Sequence, residues 1–111
     1  MVYCFSVLFL LFSDDLAEAC IFYMSLDRNL IDNSHVNIGT GKDISIKELA
    51  ETICSIIGYR GNLVFNSDMP DGTPRKLLDV TKIKKYGWEA KTSLHDGLQE
   101  TISWYLSLGN N

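Results

Sequence analysis

Arg75 and Lys76 stand side by side near the end of the stretch Pro70-Asp71-Gly72-Thr73-Pro74-Arg75-Lys76-Leu77-Leu78-Asp79, and Asp79 closes it. This stretch holds both prolines of the chain and a glycine between them. Proline fixes φ and lacks an N–H, so the run is neither helix nor strand interior. It is a loop with a defined shape. A rigid polar loop on a packed scaffold is where binding chemistry tends to sit, and a cationic pair there can hold an anion. On composition alone a plain connector is the leading reading.

Other residues with chemical potential do not assemble into a recognisable constellation. Gly39-Thr40-Gly41 follows a short apolar run and invites a dinucleotide-loop reading. The full fingerprint needs a third glycine where Ile44 stands, and a helix opening directly from the turn. The pattern fits a strand-end turn better. Neither His35 nor His95 has a nucleophile and a carboxylate at triad-like spacing, and no tyrosine is followed by lysine four residues on. Cys4, Cys20 and Cys54 form no CxxC and no metal-ligand spacing. An odd count of widely spaced thiols fits a reducing, cytoplasmic setting. Cys20 and Cys54 fall on apolar helix faces and read as small core residues.

The elements that must position these groups follow from periodicity and caps. Ser13-Asp14-Asp15 supplies N-cap chemistry, and Leu16, Cys20 and Met24, with Ala17 and Ile21, make a helical stripe to about Met24. His35 to Ile38 reads as a short strand. Ser45-Ile46-Lys47-Glu48 is a capping box before Ile46, Leu49, Ala50, Ile53 and Ile57, with Gly58 as the stop. Leu63 to Phe65 reads as a second strand. Asp79 or Thr81 caps a short helix closed by Gly87-Trp88. Ser93-x-x-Asp96 opens a last helix whose buried face is Leu94, Leu98, Ile102 and Tyr105. The predicted class is α/β, in the order α-β-α-β-α with one further short helix. Residues 13–111 form the folded unit behind a divergent apolar segment, 1–12. That segment reads as a buried strand, a signal-like run, or sequence outside the fold.

A chain of 111 residues with a net charge of −4 is one domain or part of one, and is too acidic for a general nucleic-acid binder. Yet six of the ten Lys and Arg residues lie between Arg75 and Lys91. Lys82, Lys84 and Lys85 among them read as a solvated helix face. No apolar run reaches the roughly 18 residues of a membrane span. Val2 to Phe12 has the length of a signal-peptide centre but no cationic residue before it.

At this point the residues carry a resemblance. His35-Val36-Asn37-Ile38-Gly39-Thr40-Gly41, Ile44 to Ala50, Pro70 to Asp79, Tyr86-Gly87-Trp88 and the Trp104-Tyr105 ending resemble the C-terminal region of the GDP-L-fucose synthases, which are extended short-chain dehydrogenases. Ser13 to Met24 is similar to that family's "DDLA" helix. The resemblance implies an NADP-dependent epimerase/reductase acting on a GDP-sugar, homodimeric in the full-length family. In it a Rossmann half holds NADP(H) and the catalytic Ser, Tyr and Lys, and a smaller C-terminal lobe binds the substrate. This chain would be the substrate-binding lobe with the Rossmann half absent. No catalytic residue, cofactor residue or metal ligand maps onto it. Asp71 matches a family residue that contacts the nucleotide part of the substrate. Arg75 and Lys76 stand where charge can steer a diphosphate. One departure bears on affinity: Leu8 stands where the family has an arginine that grips the diphosphate. Losing such a contact costs about 1.5–3 kcal/mol.

Three functions follow in order: a fragment of such a synthase that supplies GDP-sugar binding only, a non-catalytic GDP-sugar-binding or docking module, and a small secreted protein.

Overall fold

A computed structural model of the chain describes residues 7–66, 68 and 78–109. A strand β1 (Val7–Leu8) leads into helix α1 (Ser13–Ser25), followed by a 3-10 turn at Arg28–Leu30. Strand β2 (Ile44–Ser45) runs directly into helix α2 (Ile46–Ile57), and helices α3 (Thr81–Tyr86) and α4 (Leu94–Leu108) complete the order. The two strands pair antiparallel, Val7 opposite Ser45 and Leu8 opposite Ile44.

Local rules account for the helix ends. Ser45 Oγ accepts from the Glu48 N–H at 3.1 Å, and Glu48 accepts in return from the Ser45 N–H, a complete capping box. Two hydrogen bonds from Ser45, its hydroxyl first, hold the Glu48 carboxyl below its ordinary value. Ser93 Oγ accepts from the Asp96 N–H at 3.1 Å at the start of α4. Gly58 and Gly87 end α2 and α3 at φ 71° and 109°, a region that costs glycine little. The N-cap of α3 is Val80, without a side-chain cap, and neither Asp79 nor Thr81 takes that place; Asp79, one residue earlier, accepts from the Thr81 N–H at 2.9 Å.

The strands differ from expectation. His35–Ile38 and Leu63–Phe65 carry no ladder hydrogen bonds; among the described residues only β1 and β2 pair. A strand exists only beside a partner. Val36 and Ile38 instead lean on the core, and Asn37 Nδ2 donates to the Asp79 carbonyl at 3.1 Å. Val64 is 90% exposed. Of the apolar front segment only residues 7–12 are described: Val7 is half-buried in β1, Leu11 packs on the core, and the Phe12 ring lies against Gly97 of α4.

Among the described residues Ala19, Val80, Ile83 and Trp88 are the buried apolar side chains of the core, with Phe22, Tyr23 and Tyr86 packed around them. Tyr23 and Tyr86 meet edge to face at 6.0 Å. This decides which side of α1 turns inward, and it is not the predicted one. Asp15 and Ala19 are buried, and Phe22 and Tyr23 half-buried, whereas Leu16, Cys20, Ile21 and Met24 are exposed. Cys20 is therefore not a core residue; Cys54 is half-buried. The first helix is capped by Phe12 without a side-chain hydrogen bond, so Ser13 and the two aspartates form its first turn. In α4, Leu94, Leu98 and Ile102 are half-buried as expected, but Tyr105 is exposed, as is the rest of the helix from Ser103 on.

Candidate functional site

Asp71, Arg75 and Lys76 lie outside the described residues. The base from which their loop departs is described. Leu78 is half-buried, Val80 is buried, and the intervening Asp79 is held at both its carbonyl and its carboxylate, by Asn37 and by Thr81. Hydrogen bonds from Thr81, side chain first, hold the Asp79 carboxyl below its ordinary value, with the charge of Lys85 adding to the effect.

The glycine turn supports this base. A Cβ at Gly39 would meet Leu78 Cδ2 at 2.7 Å, and one at Gly41 would meet Val80 Cγ2 at 2.9 Å. Gly41 also has φ 73°. Between them Thr40 Oγ1 accepts from the Lys42 N–H and donates to the Lys42 carbonyl, both at 3.2 Å. The turn therefore admits the close approach of the loop base.

Residues of the turn also border a groove of about 1310 Å³. Leu10, Phe12, Thr40, Lys42, Lys91 and His95 are among the residues that line it. The volume exceeds that of a usual small-molecule pocket, about 300–1,000 Å³. The cations are partly committed. Lys91 Nζ pairs with Glu18 at 2.6 Å, and Lys84 Nζ lies 4.0 Å from Glu89. His95 is exposed at the start of α4, 3.7 Å from Asp96.

Lys82 is not a solvated face residue. Its ammonium donates to Asp32 at 2.7 Å, to the Ser34 hydroxyl and to the His35 carbonyl. Lys82 above all, then Ser34, holds the Asp32 carboxyl well below the ordinary carboxylate range, and Asp32 raises the Lys82 ammonium in turn. This cluster joins the segment after α1 to α3. No motif announces it, because its members lie some 50 positions apart.

Among the described residues no group of three or more His, Cys, Asp or Glu can hold a metal. None of their helices is long and apolar enough to cross a membrane. Leu8, at the position where the family resemblance expects an arginine, sits in β1 at 37% exposure.

No family model matches the chain. Curated relatives do. GDP-L-fucose synthase 1 of Arabidopsis thaliana is 47% identical over 93 residues, covering 84% of this chain and 28% of the relative. GDP-L-fucose synthase of Escherichia coli is 48% identical over 99 residues, covering 84% and 31%. Among solved structures, a GDP-D-glycero-L-gluco-heptose synthase of Campylobacter jejuni, crystallised in the presence of NADPH, aligns with TM-score 0.82 at 38% identity, over 95% of this chain and 32% of its own. The chain spans less than a third of the length of the relatives it matches.

Proposed function

We propose that this chain, related over 84% of its length to the GDP-L-fucose synthases, supplies the GDP-sugar-binding part of such an enzyme. The family reaction in this reading is the NADPH-dependent epimerisation and reduction of GDP-4-keto-6-deoxy-D-mannose to GDP-L-fucose. The observation that carries the proposal is the high identity to one segment of these enzymes. A segment 47–48% identical to enzymes named for a GDP-sugar product makes up only 28–31% of them.

The loop 70–79 is the binding element. Asp71 accepts hydrogen bonds from the nucleoside, since an ionised carboxylate has acceptors only. Arg75 offers a bidentate fork to the diphosphate and Lys76 a point charge. The glycine turn and the Asn37–Asp79–Thr81 hydrogen bonds support this role by bracing the loop where it rejoins the fold.

NADP(H), the cofactor of the family reaction, does not fit the one glycine turn that could be read as its cradle. The turn's Cβ positions face Leu78 and Val80, and Thr40 closes on Lys42. No step of the reaction is assigned to residues of this chain.

Isothermal titration of the 111-residue chain with GDP-fucose tests the reading. Binding that weakens on Arg75→Ala is the expected result, and no heat at millimolar ligand rejects it. A parallel assay with the keto sugar should show no NADPH oxidation, and turnover would overturn the division of labour.

A further inference from the structure

Helix α3 is six residues long, and its N-cap, Val80, makes no side-chain hydrogen bond. A helix so short does not hold itself in place, so tertiary ties set where it starts. Val80 and Ile83 supply apolar ties by burial. Lys82 supplies a directional one. An ammonium has three donors, and Lys82 faces three acceptors on one segment: the Asp32 carboxylate at 2.7 Å, the Ser34 hydroxyl, and the His35 carbonyl at 3.4 Å. Local bonds arrange these acceptors. Asp32 Oδ1 accepts from the Ser34 N–H at 3.1 Å and from the Ser34 hydroxyl at 2.8 Å, in a turn where Asn33 has φ 58°. The same segment grips the chain again through Asn37, which donates to the carbonyl of Asp79, three positions before Lys82. Residues 32–37 therefore hold residues 79–82 at both ends, while Val36 packs on the core between the two grips. A lone exposed ion pair fixes little. A cation shared among three acceptors, with a second hydrogen bond three residues away, fixes direction as well as distance.

We propose that Lys82 is a positioning residue for nucleotide binding: it draws the first turn of α3 onto Asp32, Ser34 and His35 and so fixes the base, residues 78–81, from which the loop departs. The inference rests on the reading of that loop as the GDP-sugar-binding element. It adds a residue that acts on the ligand only through the backbone.

Titration of the 111-residue chain with GDP-fucose tests this, run in the cold with circular dichroism to verify that each variant is folded. Lys82→Met and Asp32→Asn should each weaken binding at least about fivefold, the low end of ordinary coupling between sites. Lys82→Arg, which keeps the charge and the donors, should bind more tightly than Lys82→Met. Asp32→Asn separates positioning from attraction. If only the field around Lys82 mattered, removing a negative charge would tighten a diphosphate, whereas a broken clamp weakens it. Lys84→Met, an equal loss of charge on the same helix outside the clamp, should change little. Where only one of Lys82→Met and Asp32→Asn folds, that one decides. Unchanged affinity in the folded variants, tighter binding in Asp32→Asn, or unfolding of both overturns the inference. So does an effect of Lys84→Met equal to that of Lys82→Met, or Lys82→Arg no better than Lys82→Met. Failure of the loop reading looks different: a wild-type chain that takes up no ligand, or Arg75→Ala binding as wild type does, rejects that reading and this inference with it. Loss of binding in Arg75→Ala beside indifference to Lys82→Met and Asp32→Asn rejects this inference alone.

Discussion

Asp15 and Thr92 are joined across 77 positions of sequence by two hydrogen bonds: the Thr92 N–H donates to Asp15 Oδ2 at 2.8 Å and the Thr92 hydroxyl to Oδ1 at 3.0 Å. The Lys91 N–H adds a third at 3.2 Å. Asp15 is 5% exposed, so these bonds replace water at a buried carboxylate. They bind the start of α1 to the entry of α4 and turn α1 so that Ala19 faces the core.

Asp15→Asn should therefore destabilise the chain by about 1.5–3 kcal/mol, because the two N–H donors and the Thr92 hydroxyl lose a charged acceptor for a neutral amide. Thr92→Val should cost less, about 0.5–1.5 kcal/mol. Urea denaturation of both single variants and the double should give a sum that is not additive, as expected for contacting groups.

Stability should have a shoulder at each end of the pH scale. The folded values of Asp32, Glu48 and Asp79 lie below the ordinary 3.8, 4.5 and 3.8. Their contribution is complete above those ordinary values and is lost as pH falls below them. Lys82 is raised above its ordinary 10.5, so its contribution holds below that value and disappears as pH climbs past it. Melting midpoints from pH 2 to 11 should fall at both ends. Asp32→Asn should flatten part of each arm, and added salt should reduce both, since these charges remain within reach of solvent.

Gly41→Ala combines a positive φ with a 2.9 Å approach to Val80, and Gly39→Ala forces a 2.7 Å contact with Leu78. Each should destabilise by about 1–3 kcal/mol. Gly58→Ala has φ 71° but open space around the added carbon, so it should cost about 1 kcal/mol. Thermal melts of the three variants would expose the difference. If the loop binds nucleotide, the first two variants should also weaken GDP-fucose more than Gly58→Ala does.

Leu8→Arg restores a cation where the family resemblance places one. Leu8 is 37% exposed and its backbone pairs with Ile44, so the side chain can change without breaking the ladder. GDP-fucose should bind about ten- to a hundredfold tighter, matching a charge-assisted phosphate contact of about 1.5–3 kcal/mol. Unchanged affinity would place the diphosphate away from β1.

The sequence alone determined features whose bonds close within one turn of chain. The Ser45–Glu48 capping box, the Ser93–Asp96 cap, the stops at Gly58 and Gly87, and the extents of α2, α3 and α4 were all legible, because i to i+3 chemistry needs no distant partner. The resemblance carried by His35 to Gly41 and Pro70 to Asp79 also named the family whose members match at 47–48% identity. Only the tertiary structure decided which face of α1 turns inward. Its two sides are similarly apolar, so periodicity does not choose between them, whereas the Asp15–Thr92 bonds and the Tyr23–Tyr86 contact do. It also decided that strands form at Val7–Leu8 and Ile44–Ser45, not at His35–Ile38, since pairing depends on a partner 38 residues away. And it gave Gly39 and Gly41 their role, set by how closely Leu78 and Val80 approach.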